Sequence, residues 1–161
     1  MNIDSVYKAP ESNLGTDNGE EQVFAGFWVR TFASIIDTVL IVLVTWPILT
    51  AIYGVDYWLS ESLINGVWDV LLTYIFPAIA VIIFWIYKSA TPGKMVFGLR
   101  VISLNDNRRL SVGQSIGRYL AYYLSMIPLF IGFIWVAFDA RKQGWHDKLA
   151  KTVVVKTRKR V

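Results

Sequence analysis

Long apolar stretches alternate with short polar segments along this chain. The first stretch runs from about Phe24 to Tyr53 and is interrupted by Arg30, Ser34 and Asp37. At a rise of 1.5 Å per residue, about 20 residues cross a hydrocarbon core of about 30 Å, so this stretch predicts a spanning helix. Trp28 near one end, and Tyr53, Tyr57 and Trp58 past the other, stand where aromatic side chains anchor at the two interfaces. The second stretch, Val67 to Tyr87, predicts another spanning helix, closed by Trp85, Tyr87 and Lys88. The third covers residues 112–138. It opens on Ser111-Val-Gly-Gln114, which fits a capping box. It is interrupted by Ile127-Pro128 and then Gly132, and a proline inside a run removes a backbone donor and stops or kinks the helix.

Between these stretches the period changes. Leu99-Arg-Val-Ile-Ser-Leu104 alternates and is rich in β-branched residues, with a turn signal at Asn105-Asp106-Asn107; Thr152-Val-Val-Val-Lys156 has the same character. The expectation is a small pair of strands beside the membrane. Residues 1–22, with Asp4, Glu11, Asp17, Glu20 and Glu21 against Lys8, show no period and are read as a disordered acidic tail. They have no basic n-region before an apolar run, as a cleavable signal peptide would. The expected organisation is therefore a tail at 1–22, a membrane domain at 23–156 and a short basic tail at 157–161.

Charge decides the topology. Lys88, Lys94, Arg100, Arg108 and Arg109 lie in the segment 88–111, and Arg141, Lys142, Lys148, Lys151, Lys156, Arg158, Lys159 and Arg160 lie beyond 138, whereas residues 54–66 hold no Lys or Arg. The positive-inside bias puts both basic segments, and the N-terminus, in the cytoplasm. Both can lie there only if residues 112–138 enter and leave on one side, which favours a re-entrant or shallow helical hairpin; a straight third span is the alternative. The fold class expected is thus an all-α multi-pass membrane protein: two transmembrane helices, a Pro-broken third helical region and a cytoplasmic strand pair.

Composition narrows the chemistry. Of 161 residues, 55% are hydrophobic and 17% charged, which excludes an ordinary soluble globule. With no Cys and one His there is no disulfide framework, no thiolate and no multi-His metal site, and no cofactor is expected. Gly93-Lys94 lacks the upstream glycine of a phosphate-binding loop, since position 88 is Lys, and no nucleophile–base spacing is present. An enzyme is not expected.

The candidate residues are the ionisable groups set in or beside the apolar runs. Arg30 and Asp37 are seven apart, within about 20° on one helix face, with Ser34, Thr38 and Thr45 on the same side. A charged Asp well inside an apolar run needs a partner. Arg30 is the neighbour its own helix offers. The pair reads either as an exchanging carboxylate with a tuning cation or as an intramembrane salt bridge that fixes packing. Asp69 is an outer-facing relay carboxylate or a solvated residue of the first helical turn. Arg118 lies two turns inside the third region, free to reach headgroups, Asp139 or Asp37. His146 beside Asp147 is a pH-sensitive pair or an interfacial His that only hydrogen-bonds. Arg158, Lys159 and Arg160 point to anionic lipid headgroups rather than nucleic acid.

Several blocks together resemble the RDD family of small bacterial integral membrane proteins, named for an Arg and two Asp. They are Ala25-Gly-Phe-Trp-Val-Arg30 with Asp37, Thr91-Pro-Gly-Lys94 with Gly98-Leu-Arg-Val101, and Leu110-Ser111 with Arg118-Tyr-Leu120. Phe138-Asp-Ala-Arg-Lys-Gln-Gly-Trp-His-Asp-Lys-Leu-Ala150, before Thr152-Val-Val-Val155, is the most specific. The resemblance covers roughly Phe24 to Val155. It implies the Arg at Arg30, the first Asp at Asp37 and the second at Asp139 or Asp147. It also implies an inner-membrane protein concerned with transport, by cation or proton exchange or of another ligand; two spans and a hairpin are few for a pathway in one chain, so a homo-oligomer is expected, and the alternative is a non-transporting scaffold or accessory subunit.

Overall fold

The computed structural model describes residues 20–106 and 108–159. Strand β1 (Glu20–Phe24) leads through Gly26 into α1 (Phe27–Tyr53), a helix of 27 residues and about 40 Å that contains Pro47. A 3₁₀ turn, Val55–Leu59, and an irregular link return the chain into α2 (Val67–Lys88), whose second turn, Leu71–Ile75, is π-helical. Both helices are long and apolar enough to cross a membrane, and the chain itself covers little of either. The short α3 (Pro92–Val96) and strand β2 (Leu99–Ser103) follow.

The third region is broken. Helix α4 (Val112–Met126) starts at Ser111, whose hydroxyl accepts from the Gln114 amide while the Gln114 side chain accepts from the Ser111 amide. It meets α5 (Ile131–Ala137) at 112°. The turn between them holds Pro128 and two non-glycine residues in the left-handed region, Leu129 (φ 50°) and Phe130 (φ 60°). Past the turn, Gly132 lies so close to α4 that a Cβ there would come within 2.7 Å of the Ser125 Cα. The return leg can therefore fold back only where the side chain is a hydrogen. Helix α6 (Trp145–Leu149) and strand β3 (Thr152–Lys159) follow.

The strands form one antiparallel sheet in the order β1-β3-β2. This corrects the expected pair of strands in an all-α frame: the described residues are mostly helical, with three strands in one sheet. Glu20, Glu21 and Gln22, assigned from sequence to the tail, extend β1 opposite Lys159, Arg158 and Thr157. Likewise β3 runs to Lys159, beyond the expected limit at 156. Polar residues at a sheet edge leave no apolar alternation to read, yet their backbone still completes the ladder. The central strand carries Val153-Val154-Val155, buried on both faces. Val154 packs with Ala25, Ala33, Trp85, Leu99, Val101 and Leu110 towards the helices, while Val153 and Val155 cluster with Ile102 on the other face. The sheet thus sits against the Arg30 end of α1 and the Trp85 end of α2.

Candidate functional site

Where β3 meets the helices, three charged side chains lock together. Asp147, at the third position of α6, is wholly buried. Its Oδ2 accepts from Arg30 Nη1 at 2.5 Å and from the Gly144 amide at 3.0 Å; its Oδ1 lies 2.5 Å from Arg118 Nη2. Arg30 also donates to the carbonyls of Ala25 (2.9 Å) and Val154 (3.5 Å), and Arg118 donates from Nη1 to Thr152 Oγ1 (2.6 Å). The triad therefore ties α1, α4, α6 and β3 together. Burial opposes ionisation of Asp147, but the two guanidiniums outweigh it and hold the carboxyl well below the usual range.

Asp37 is not in this triad, which corrects the expected Arg30–Asp37 pair. Same-helix geometry puts Arg30 and Asp37 on one side, but Arg30 turns to the carboxylate brought by α6. Asp37 instead accepts from the Thr91 hydroxyl (2.5 Å) and the Gly93 amide (2.6 Å). Gly93 N–H is one of the donors that the first turn of α3 leaves without a partner inside its own helix, so Asp37 caps α3 from another helix. The packing requires glycine: a Cβ on Gly93 would collide with the Ala33 carbonyl oxygen and come within 3.0 Å of the Asp37 Cγ.

His146 lies beside the triad, with Nε2 3.6 Å from Asp147 Oδ1. It is buried rather than interfacial. Its Nδ1 is 3.3 Å from Ser125 Oγ, its amide donates to the same oxygen, and its ring packs on Tyr122 and Phe133. Burial is the main effect on its basicity; Asp147 favours the imidazolium, but Arg118, Arg30 and Lys94 oppose it, and the pKa falls to about 3. The imidazole is neutral at pH 7, so the reading of a switch near neutrality gives way to a hydrogen-bonded core histidine.

The remaining candidates are elsewhere. Asp139 pairs with Lys148 (2.5 Å) and accepts from the Arg141 and Gln143 amides, not from Arg118. Burial opposes its ionisation, but Lys148 and those amides hold its pKa below the usual value. Asp69 is neither solvated nor near the triad. It is buried at the far end of α1, about 35 Å along the helix from Arg30. There it accepts from Tyr57 Oη (2.7 Å), Thr73 Oγ1 (2.9 Å) and the Asn65 amide (2.9 Å), pinning the α1–α2 link. Arg158 and Lys159 extend β3 opposite Glu21 and Glu20. Arg160 lies outside the described residues.

Between α1, α2, α4 and α5 is a cavity of about 570 Å³. Arg30, Asp37, Lys94 and Arg118 line its polar end; Phe27, Ile41, Val81, Tyr119, Phe130 and Phe133 line much of the rest. Lys94 does not stand out as a site residue in the sequence. Its motif, Thr91-Pro-Gly-Lys94, reads in sequence as a polar turn, and only the fold carries its lysine under the helices.

The chain contains, in order, an Arg on the first spanning helix, a Thr-Pro-Gly-Lys turn and a Trp-His-Asp helix, and the family model described as "RDD family" matches residues 24–151. The chain belongs to the RDD family. Among its relatives are the "Uncharacterized membrane protein YteJ" of Bacillus subtilis (30% identical, covering 95% of this chain and 96% of that one) and the "Uncharacterized protein YxaI" of the same organism (35% identical, 81% and 96%). A shorter match is to the "Uncharacterized protein RP437" of Rickettsia prowazekii (37% identical, 47% and 42%). No solved structure matches. Of the two aspartates in the specific C-terminal block of this RDD protein, Asp147 is the one that meets Arg30.

Proposed function

We propose that this RDD protein is a transport-related protein of the bacterial inner membrane, with the helix-lined cavity as its binding compartment and Asp37 as its exchanging carboxylate. One observation carries the reading: Asp37 lines the cavity, and its hydrogen-bond partners are a hydroxyl and an amide, with no cation within 4 Å among the described residues. Asp147 is unsuited to exchange, because taking up a proton there would leave two buried arginines uncompensated. In this reading both basic segments and the sheet face the cytoplasm, residues 112–138 form a re-entrant hairpin, and protons or monovalent cations exchange at Asp37. The basic segments attract anionic headgroups. Several copies together make the pathway, since two spans and a hairpin leave most of α1 and α2 uncovered.

The test is ion- or proton-coupled flux in proteoliposomes. Asp37→Asn keeps an acceptor for Thr91 or Gly93 and is expected to fold, yet to abolish flux. Undiminished flux would remove Asp37 from the mechanism. The buried triad supports a second reading, a scaffold subunit whose charges fix packing alone. Absence of flux in the native protein, with a stoichiometric membrane partner on purification, favours that reading.

A further inference from the structure

The polar end of the cavity is unbalanced in a particular way. Arg30, Lys94, Arg118 and Asp37 line the cavity and Asp147 pairs with both arginines, so three formal positive charges stand against two negative ones and one is left over. The surplus has an address. Lys94 is only 6% exposed, yet no carboxylate lies within 4 Å of its ammonium among the described residues. Its Nζ stands 5.7 Å from the centroid of the Trp85 ring, and the Arg118 guanidinium carbon stands 5.1 Å from the same ring. Arg118 Nε and Trp85 Nε1 are buried donors without a hydrogen-bond partner. Unused donors and a surplus cation call for an acceptor-rich, negatively charged group.

The other end of the cavity calls for something different. Its walls are aromatic and aliphatic, and Met126, Phe130 and Ile134 at its margin are exposed apolar residues on the hairpin. An opening framed by such side chains faces hydrocarbon rather than water. The volume, about 570 Å³, lies within the range that holds one small organic molecule.

We infer that the cavity binds one amphiphile with a single anionic head, a phosphate or a carboxylate, which Lys94 and Arg118 hold beside Trp85 while its apolar chain lies against α1, α4 and α5. The inference rests on the cavity being the binding compartment of the proposed function, and it names the ligand class. Arg118 is committed to Asp147, so Lys94 supplies the charge that selects the head. The single formal positive charge left over sets the requirement to one negative charge rather than two.

The experiment uses the full chain in mild detergent, equilibrated with equimolar phosphatidylglycerol, phosphatidylcholine and oleate, and reads retained ligand by native mass spectrometry. One phosphatidylglycerol or one oleate per chain is expected, in preference to phosphatidylcholine. The first identifies a bilayer headgroup as the source and the second a free amphiphile. Lys94→Gln is expected to lower retention about tenfold, the size of one charge-assisted contact, with recovery in Lys94→Arg. Thr38→Phe, which fills the cavity from α1 without touching a charge, is expected to exclude the ligand, and it decides the matter if Lys94→Gln does not fold. Equal retention of phosphatidylcholine, retention of none of the three, or retention indifferent to the folded variants overturns the inference. Flux separates this from the transport reading: Asp37-dependent flux with an empty cavity overturns the amphiphile alone, and retained anion without flux overturns transport alone.

Discussion

Asp147 is the residue on which the most structure converges, and its position explains why removing it should be costly. Breaking a buried ion pair by deleting one partner leaves an uncompensated charge and costs about 3–5 kcal/mol. Here one carboxylate serves two arginines. Asp147→Asn is therefore expected to lower stability by at least about that amount, read as the thermal unfolding midpoint in detergent. The pH dependence follows from the same neighbourhood. Asp147 has a depressed pKa, so its stabilisation is present above the unfolded carboxyl value and is lost as pH falls through the folded one. His146 takes a proton at 6.5 when unfolded but only near 3 when folded, so acid below about 6.5 also favours the unfolded chain. The native protein should lose stability between pH 7 and pH 4; an unchanged midpoint over that range would contradict the assignment. At this scale the sequence shows which residues are unusual but not whom they meet. Helical periodicity sees only neighbours on one helix and so offers Arg30 to Asp37. The actual partner is 117 positions away.

At the level of elements, α3 shows how a five-residue helix can organise a much longer one. Its open N-terminal amide is capped by Asp37, its glycine lets it lie on the α1 backbone, and its lysine projects into the cavity. Gly93→Ala is expected to cost about 1–3 kcal/mol through overpacking and to separate α3 from Asp37. Differential hydrogen exchange at residues 92–96 checks it: protection equal to wild type would show that the contact is dispensable. The third region was more readable. Ser111 and Gln114 form their capping box, and the α4–α5 break falls at the Pro128 segment with Gly132 on the return leg. Both signals are local, involving residues within four or five positions. Strand β1 was not readable, because Glu20-Glu21-Gln22 has no apolar face and is recruited only by the free edge of β3.

For the molecule as a whole, two apolar helices and clustered charge announce a membrane protein from sequence, and the sheet adds a geometric constraint. Strands β2 and β3 are hydrogen-bonded neighbours, so the segments flanking the third region lie on one side of the helices. Single cysteines at Asp106 and Lys156 of this Cys-free chain should label from one membrane face, and a cysteine at Glu61 from the other. Labelling of Asp106→Cys and Lys156→Cys from opposite faces would exclude the hairpin. The sheet order also has a consequence for biosynthesis. Strand β1 precedes the first spanning helix, yet its sole neighbour in the sheet is the last strand, and the counter-charge of Arg30 arrives only with α6. A ribosome delivers these pieces after the helices, so the nascent chain holds an unneutralised arginine until α6 has emerged. Products truncated before α6 would then carry a lasting mark of incompleteness for quality-control proteases to recognise.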